Sequence, residues 1–308
     1  MLSRVAERVY WMSRYLERVE SAARLVAVYS ELLLDLPEEA QLDWSLPLEI
    51  LGMGDGYQQS PKDETELSFM LTSPNNVASI LSSLNYAREN ARTTRDIVPS
   101  EAWRTVNELH LYAARNLPTV ARRPGSKVAL EIVGRCHEIT GILEGTMSHG
   151  PAYQFVRLGR SLERADMTSR IIDVAATIMI ANREELERND STIWRAVLRA
   201  LSAYQMYRQY VRRRILAEDV VVFLLKDKDF PRSITHCVNV LDDALSNLPR
   251  AEATAEAMQQ VRSCVADVAV EKLEHDTLHQ FVDDLQLDLG TLHGVIYETW
   301  LNPMRAAQ

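Results

Sequence analysis

One stretch of this chain occurs twice. Residues 14–28, Arg-Tyr-Leu-Glu-Arg-Val-Glu-Ser-Ala-Ala-Arg-Leu-Val-Ala-Val, align without a gap onto residues 160–174, Arg-Ser-Leu-Glu-Arg-Ala-Asp-Met-Thr-Ser-Arg-Ile-Ile-Asp-Val. Arg14/Arg160, Leu16/Leu162, Glu17/Glu163, Arg18/Arg164, Arg24/Arg170 and Val28/Val174 coincide, and Glu20 lies over Asp166. Average residue usage would give roughly one identity in such a window. A second block agrees, with Phe69, Leu71, Ser79 and Ile80 over Phe223, Leu225, Ser233 and Ile234, and Gly145-Thr146 is echoed by Gly290-Thr291. The chain reads as one unit said twice, residues 1–150 and 151–308.

The repeated unit is helical. Apolar residues recur at three and four almost everywhere, with no sustained alternation and no Asn-Gly or Asp-Gly hairpin. Val9, Met12, Leu16, Val19, Ala23 and Val26 make the apolar stripe of a first helix over Ser3–Leu36. The stretch from Pro37 to Pro61 is rich in breakers and carries one short helix near Trp44–Leu51. Helices follow at Asp63–Leu71, Asn76–Ile97, Ser100–Leu117 and Ser126–Ser148, with Pro74, Pro99 and Pro118 as punctuation. The second half gives Pro151–Glu187, Ser191–Arg214, Glu218–Leu225, Pro231–Leu248, Ala251–Val270 and a last helix ending before Asn302. Only His149-Gly150-Pro151 separates the halves. The expectation is a single all-α domain, a helical bundle of two diverged repeats related by a pseudo-twofold. The Glu17 and Glu163 helices should be equivalent within it.

Composition excludes several classes. Hydrophobic content of 46% and charged content of 25% suit a globular protein. A net charge of −9 would repel nucleic acid and anionic membrane surfaces. Three cysteines, Cys136, Cys237 and Cys264, lie far apart without a C-x-x-C pair, as in a reducing cytoplasm. The longest uncharged apolar run, Val220–Leu225, is far short of a membrane span.

The repeated motif is charged, and three readings of it stay open. On a helical wheel Arg14, Glu17, Ser21 and Arg24 fall opposite Met12, Leu16, Val19, Ala23 and Val26, and Arg160, Glu163 and Arg170 group likewise. Arg14–Glu17 and Glu20–Arg24 can close an i,i+3 and an i,i+4 pair on their own helix. The motifs are then either solvated salt-bridge faces, or an inward network that fixes register, or a pocket in which Arg18, Arg24, Arg164 and Arg170 hold an anion. The inward reading expects Glu17 and Glu163 buried and held by arginines from elsewhere. Arg88, Glu89, Arg92 and Arg95 are then the first choice of third contributors.

No catalytic signature accompanies them. A phosphate-cradling glycine loop, a G-x-S-x-G elbow and a G-x-G-x-x-G fingerprint are all missing from the sequence. Glu-x-x-His pairs for a di-iron site do not occur. His275 and His279, near Glu271 and Asp276, have metal-ligand spacing but read as bystanders on a polar helix. Cys136-His137-Glu138 reads as an ordinary helix segment, Arg212–Arg214 as a solvated face, and the Trp and Tyr residues as core. No catalytic residue, metal or cofactor is expected.

The chain resembles a known family on the segments 6–24, 87–95, 101–103, 145–147 and 157–170, together with Arg232-Ser233 after Pro231. It is similar to the bacterial alpha-E family, helical domains with a recurring Glu-Arg motif. The resemblance implies neighbours: a circularly permuted ATP-grasp protein, often with a transglutaminase-like protease. ATP-grasp enzymes join carboxylates to amines through acyl phosphates. The implied role is a non-catalytic partner subunit of a cytoplasmic peptide or amide ligase system. The alternative is an enzyme or substrate-binding component whose Arg/Glu pocket takes a carboxylate, acyl-phosphate or amino-acid substrate.

Overall fold

A computed structural model describes residues 3–35, 43–181, 190–267 and 275–302. Among them every regular element is a helix. None is long and apolar enough to cross a membrane. Two compact units emerge, Arg8–Arg160 and a second made of Leu2–Glu7 with Ser161–Gln308.

The first unit opens on α1 (Ser3–Asp35), which contributes from Arg8 onward. Two short helices follow, α2 (Ser45–Ile50) and α3 (Gly54–Gln58). Between them Gly52 takes φ 66°, the Gly52 amide donates to Glu49 O and the Met53 amide to Leu48 O. That is a left-handed helix stop, where glycine carries no Cβ penalty. The sequence marked only the first of these two helices. α4 (Glu66–Leu71), α5 (Ile80–Thr93), α6 (Ser100–Arg122) and α7 (Ser126–Thr146) then pack consecutively, α6 touching α4, α5 and α7. The reason is the spacing on α6: Ala102, Val106, Leu109, Ala113, Leu117 and Val120 are all buried.

Pro118 does not end α6, contrary to the sequence expectation; the helix runs on to Arg122. A proline inside a helix costs about 3 kcal/mol. Burying Leu117 and Val120 on either side of it returns about 1.5–3 kcal/mol each, so continuation wins.

In the second unit α8 (Pro151–Ala181) contributes from Ser161, followed by α9 (Asp190–Ala200), α10 (Tyr204–Tyr210), α11 (Ala217–Lys226), α12 (Ile234–Ser246), α13 (Ala255–Asp267) and α14 (His275–Ile296). A 3-10 turn, Ala251–Thr254, precedes α13, and a π turn, Tyr297–Leu301, ends the described chain before Asn302. One continuous helix over Ser191–Arg214 is not found. The chain stops at Ser202, φ 54°, with the Ser202 amide donating to Arg199 O and the Ala203 amide to Leu198 O. This is the same stop as at Gly52, built with a serine in the position that glycine usually marks. Buried Leu201 and Ala203 hold it.

Two helix starts are built alike. Ser79 caps α5, its hydroxyl accepting from the Ser82 amide and donating to Ser73 O. Ser233 caps α12, its hydroxyl accepting from the His236 amide and donating to Asp227 O. The spacing from cap to carbonyl is the same in both. Each cap satisfies an amide that the first turn leaves without a helical partner.

Candidate functional site

α1 carries the first Glu-Arg motif, and both its apolar and its charged side are buried. Met12, Val19, Ala23 and Val26 are buried as the apolar stripe requires, but Glu17, Glu20, Ser21 and Arg24 on the charged side are only 3%, 2%, 4% and 8% exposed. The charged stripe of this helix is an interior surface. A buried carboxylate needs compensation, since an isolated charge would protonate instead.

Glu20 has that compensation. Its Oε1 accepts from Arg24 Nη2 at 2.6 Å, the i,i+4 pair expected from spacing. His137 Nε2, from α7, lies 2.9 Å from the same oxygen and 3.0 Å from Arg24 Nη2. One ring nitrogen cannot both donate to Glu20 and accept from Arg24. With its proton on Nε2 it donates to the carboxylate, the stronger of the two bonds. The His137 side chain is 55% exposed, so the trio runs from the interior to solvent. Sequence reasoning passed over His137 as an ordinary helix position; a partner 117 residues away leaves no local signal.

A cavity of about 10 Å³ sits beside this trio, lined among others by Ser13, Glu17, Glu20, Cys136, Thr140 and Arg160. That is room for roughly one water molecule. Close by along α1, Arg24 Nε and Ser21 Oγ are buried with no hydrogen-bond partner among the described residues. The stripe therefore holds donor capacity that these residues do not use.

The start of α8 closes on α1 within the same unit. Ser13 Oγ donates to Val156 O at 2.7 Å. A Cβ placed on Gly159 would stand 2.4 Å from Tyr10 O, 3.2 Å from Ser13 Cβ and 3.3 Å from Arg14 Cγ. Only glycine admits so close an approach of two helices. Arg160 follows directly and reaches the cavity.

In the second unit the repeated motif continues along α8. Glu163 is 1% exposed. Arg164 Nη1 donates to Pro231 O at 3.3 Å. Asp166 Oδ2 accepts from Arg170 Nε at 3.0 Å, the counterpart of Glu20–Arg24 but with both side chains partly open to water. Thr168 Oγ1 donates to Arg232 O at 3.0 Å in the interior.

Arg88, Glu89, Arg92 and Arg95 do not complete the motif. Arg92 pairs with Glu89 at 2.6 Å, both about half exposed, which pulls the Glu89 carboxyl below its ordinary range. Arg88 donates to Asn107 Oδ1 at 2.7 Å, and the Arg88 and Arg95 guanidinium groups lie 5.9 and 5.0 Å from the Trp103 ring centre. The reason is helical phase. α5 buries Ile80, Leu84, Ala87 and Ala91; Arg88, Glu89 and Arg92 lie off that face, and Arg95 lies in the turn after the helix end.

The aromatic residues are not all core either. Trp11 stacks on Tyr15 and Tyr15 on exposed Tyr86, with ring centres 5.5 and 5.3 Å apart. Arg14 and Arg18 lie over Trp11 and Tyr15 at 5.3 and 5.8 Å. His279 meets Asp173 and Asp283; Glu271 and the side chains of His275 and Asp276 lie outside the described residues.

Comparison with curated proteins and with solved structures finds no match. A family model described as Alpha-E, a predicted alpha-helical domain with a conserved ER motif, matches residues 1–301. The sequence carries Glu-Arg steps at Glu17-Arg18 and Glu163-Arg164, with both glutamates buried, and the chain belongs to the Alpha-E family.

Proposed function

We propose that this protein is a non-catalytic accessory subunit of a bacterial, cytoplasmic ATP-grasp-type peptide or amide ligase system. Its partners in this reading are a circularly permuted ATP-grasp protein and a transglutaminase-like protein, as the family resemblance implies. The observation that supports it is how the first Glu-Arg motif is used. Glu20 is engaged inside the fold by Arg24 and His137, beside a cavity of about 10 Å³. Pockets for small substrates hold about 300–1,000 Å³, so that cavity admits no amino-acid or acyl-phosphate substrate. The motif there works as framework, setting how α1 and α7 pack, and leaves the ligation chemistry to a partner.

The two units, in this reading, are diverged copies of one ancestor. The matching caps at Ser79 and Ser233 and the matching i,i+4 pairs Glu20–Arg24 and Asp166–Arg170 support that descent. Superposing the halves in an experimental structure tests the pseudo-twofold.

The experiment for function is affinity purification of the tagged full chain from its native host, followed by mass spectrometry and assay of the recovered ligase. The expected result is co-purification of an ATP-grasp protein, with ligase activity that requires both chains. Turnover of a carboxylate, an amine and ATP by the purified chain alone would sink the reading. One observation favours a second reading, in which the motif binds a small anion: Arg24 Nε and Ser21 Oγ are buried donors without partners among the described residues. Calorimetric titration with acetate and inorganic phosphate, on the parent and on Arg24→Lys, decides it. Heat seen only with the parent favours the anion site.

A further inference from the structure

A second cluster of chemistry-bearing side chains stands apart from the Glu-Arg motifs, in the second unit. Asp173 on α8 and His279 and Asp283 on α14 bring one ligand atom each to within 4.8 Å of one another. His279 and Asp283 are four residues apart, so their side chains share a helix face. Asp173 comes from 106 residues away.

The two ring nitrogens of His279 are placed differently. Nδ1 is 2.6 Å from Asp173 Oδ1. A carboxylate at that distance accepts a proton held on Nδ1, which makes Nε2 the nitrogen with the lone pair. Nε2 lies 3.6 Å from Asp283 Oδ2. That is too long for a hydrogen bond. It is close to the roughly 3.4 Å that separates two ligands of one tetrahedral ion whose bonds are about 2.0–2.2 Å. His279 and Asp283 are about half exposed and Asp173 largely buried, so an ion can enter while its orienting group stays fixed.

We propose that His279 Nε2 and the Asp283 carboxylate form a binding site for a divalent transition-metal ion of the zinc type, with Asp173 orienting the imidazole. A carboxylate hydrogen-bonded to the far nitrogen of a metal-bound histidine is the arrangement that fixes the tautomer and raises ligand basicity. Imidazole beside carboxylate suits zinc and its neighbours better than magnesium or calcium, which prefer all-oxygen sets. Two protein ligands leave the remaining positions to water or to a donor from a bound molecule. The sequence spacing pairs His279 with His275, whose side chain lies outside the described residues; Asp173, 106 residues away, is invisible without the fold.

Calorimetric titration of the chelator-treated full chain with Zn²⁺, and separately with Mg²⁺, tests this. The expected result is one Zn²⁺ site per chain and no Mg²⁺ heat. His279→Gln, which keeps a polar side chain but loses the imidazole lone pair, and Asp283→Asn should each weaken Zn²⁺ binding by about tenfold or more. Asp173→Asn should weaken it by about 10–100-fold, the usual effect of removing an orienting carboxylate. Circular dichroism confirms folding of each variant, and Co²⁺ substitution gives visible absorption bands that His279→Gln should abolish. No Zn²⁺ binding, as expected if His279 is simply a charged imidazole between two carboxylates, overturns the proposal. So does binding that survives His279→Gln. Asp173→Asn with undiminished affinity overturns the orienting role.

Discussion

Gly159→Ala should unfold this protein more easily even though alanine is the better helix former. The new Cβ would meet Tyr10 O at 2.4 Å, and the Ser13 and Arg14 side chains at 3.2 and 3.3 Å. Tyr10 O belongs to the backbone of α1 and cannot rotate away, so the start of α8 must retreat by roughly 1 Å to reach ordinary contact. Overpacking of this kind costs about 1–3 kcal/mol. The same retreat stretches the 2.7 Å bond from Ser13 Oγ to Val156 O and forfeits about 0.5–1.5 kcal/mol more. Exchanging glycine for alanine in a helix interior returns about 1 kcal/mol. The balance is a loss of about 0.5–3.5 kcal/mol, a fall of up to several degrees in melting temperature. Gly134→Ala is the control: it lies on the exposed side of α7, where an added Cβ meets nothing within 4 Å. It should gain up to about 1 kcal/mol. Urea denaturation of the three proteins under one set of conditions gives both signs at once. If Gly159→Ala proved as stable as the parent, the close approach of α1 and α8 would be wrong.

Glu17→Ala, Glu20→Ala and Glu163→Ala should each destabilise by about 3–5 kcal/mol, because all three carboxylates are buried and truncation leaves their partners uncompensated; Glu89→Ala, on the exposed Arg92 pair, should leave the melting temperature unchanged. Ser79→Ala and Ser233→Ala should each lose about 1–2 kcal/mol in denaturant titration, since each deletes a cap and the partner of a carbonyl. Burial, with a smaller contribution from Arg88, holds the His110 imidazole below its ordinary range. The unfolded chain therefore takes up this proton at higher pH than the folded one, and stability falls as pH drops from the ordinary histidine value toward the lower folded one; a His110→Asn variant should show a flatter profile there by thermal melts. Burial and then Asp284 push the Asp288 carboxyl up, so its folded form is favoured while protonated and loses that advantage as pH rises through the raised value. Asp288→Asn should accordingly raise the melting temperature at neutral pH, with the gain vanishing in acid.

Much of the fold was legible along the chain because helices are local objects. Apolar spacing, Ser and Pro at starts, and the scarcity of strand patterning depend on neighbours three or four residues away. They placed every long helix of the described residues. They failed where a distant packing force overruled the local rule. Pro118 should stop α6, but buried Leu117 and Val120 carry the helix past it. Ser202 takes a left-handed stop without the glycine that would announce it.

The candidate site divides the same way. Repetition of Arg14–Arg24 at Arg160–Arg170 marked the charged motif from sequence alone, and the Glu20–Arg24 and Asp166–Arg170 pairs followed from i,i+4 spacing. Amphipathic phase could not say that the charged side is an interior one. A wheel records which side of a helix is polar, whereas burial depends on whether other helices cover that side, and that is settled by long-range packing. The same limit hid His137 from Glu20 and Asp173 from His279, partners 117 and 106 residues apart. It also made Arg88, Glu89, Arg92 and Arg95 look like network members, when α5 turns the first three elsewhere and Arg95 lies past its end. Sequence determined the helices and the charges they carry. Tertiary structure alone decided which of those charges meet, because proximity across more than a hundred residues is a property of packing and leaves no periodic trace in the chain.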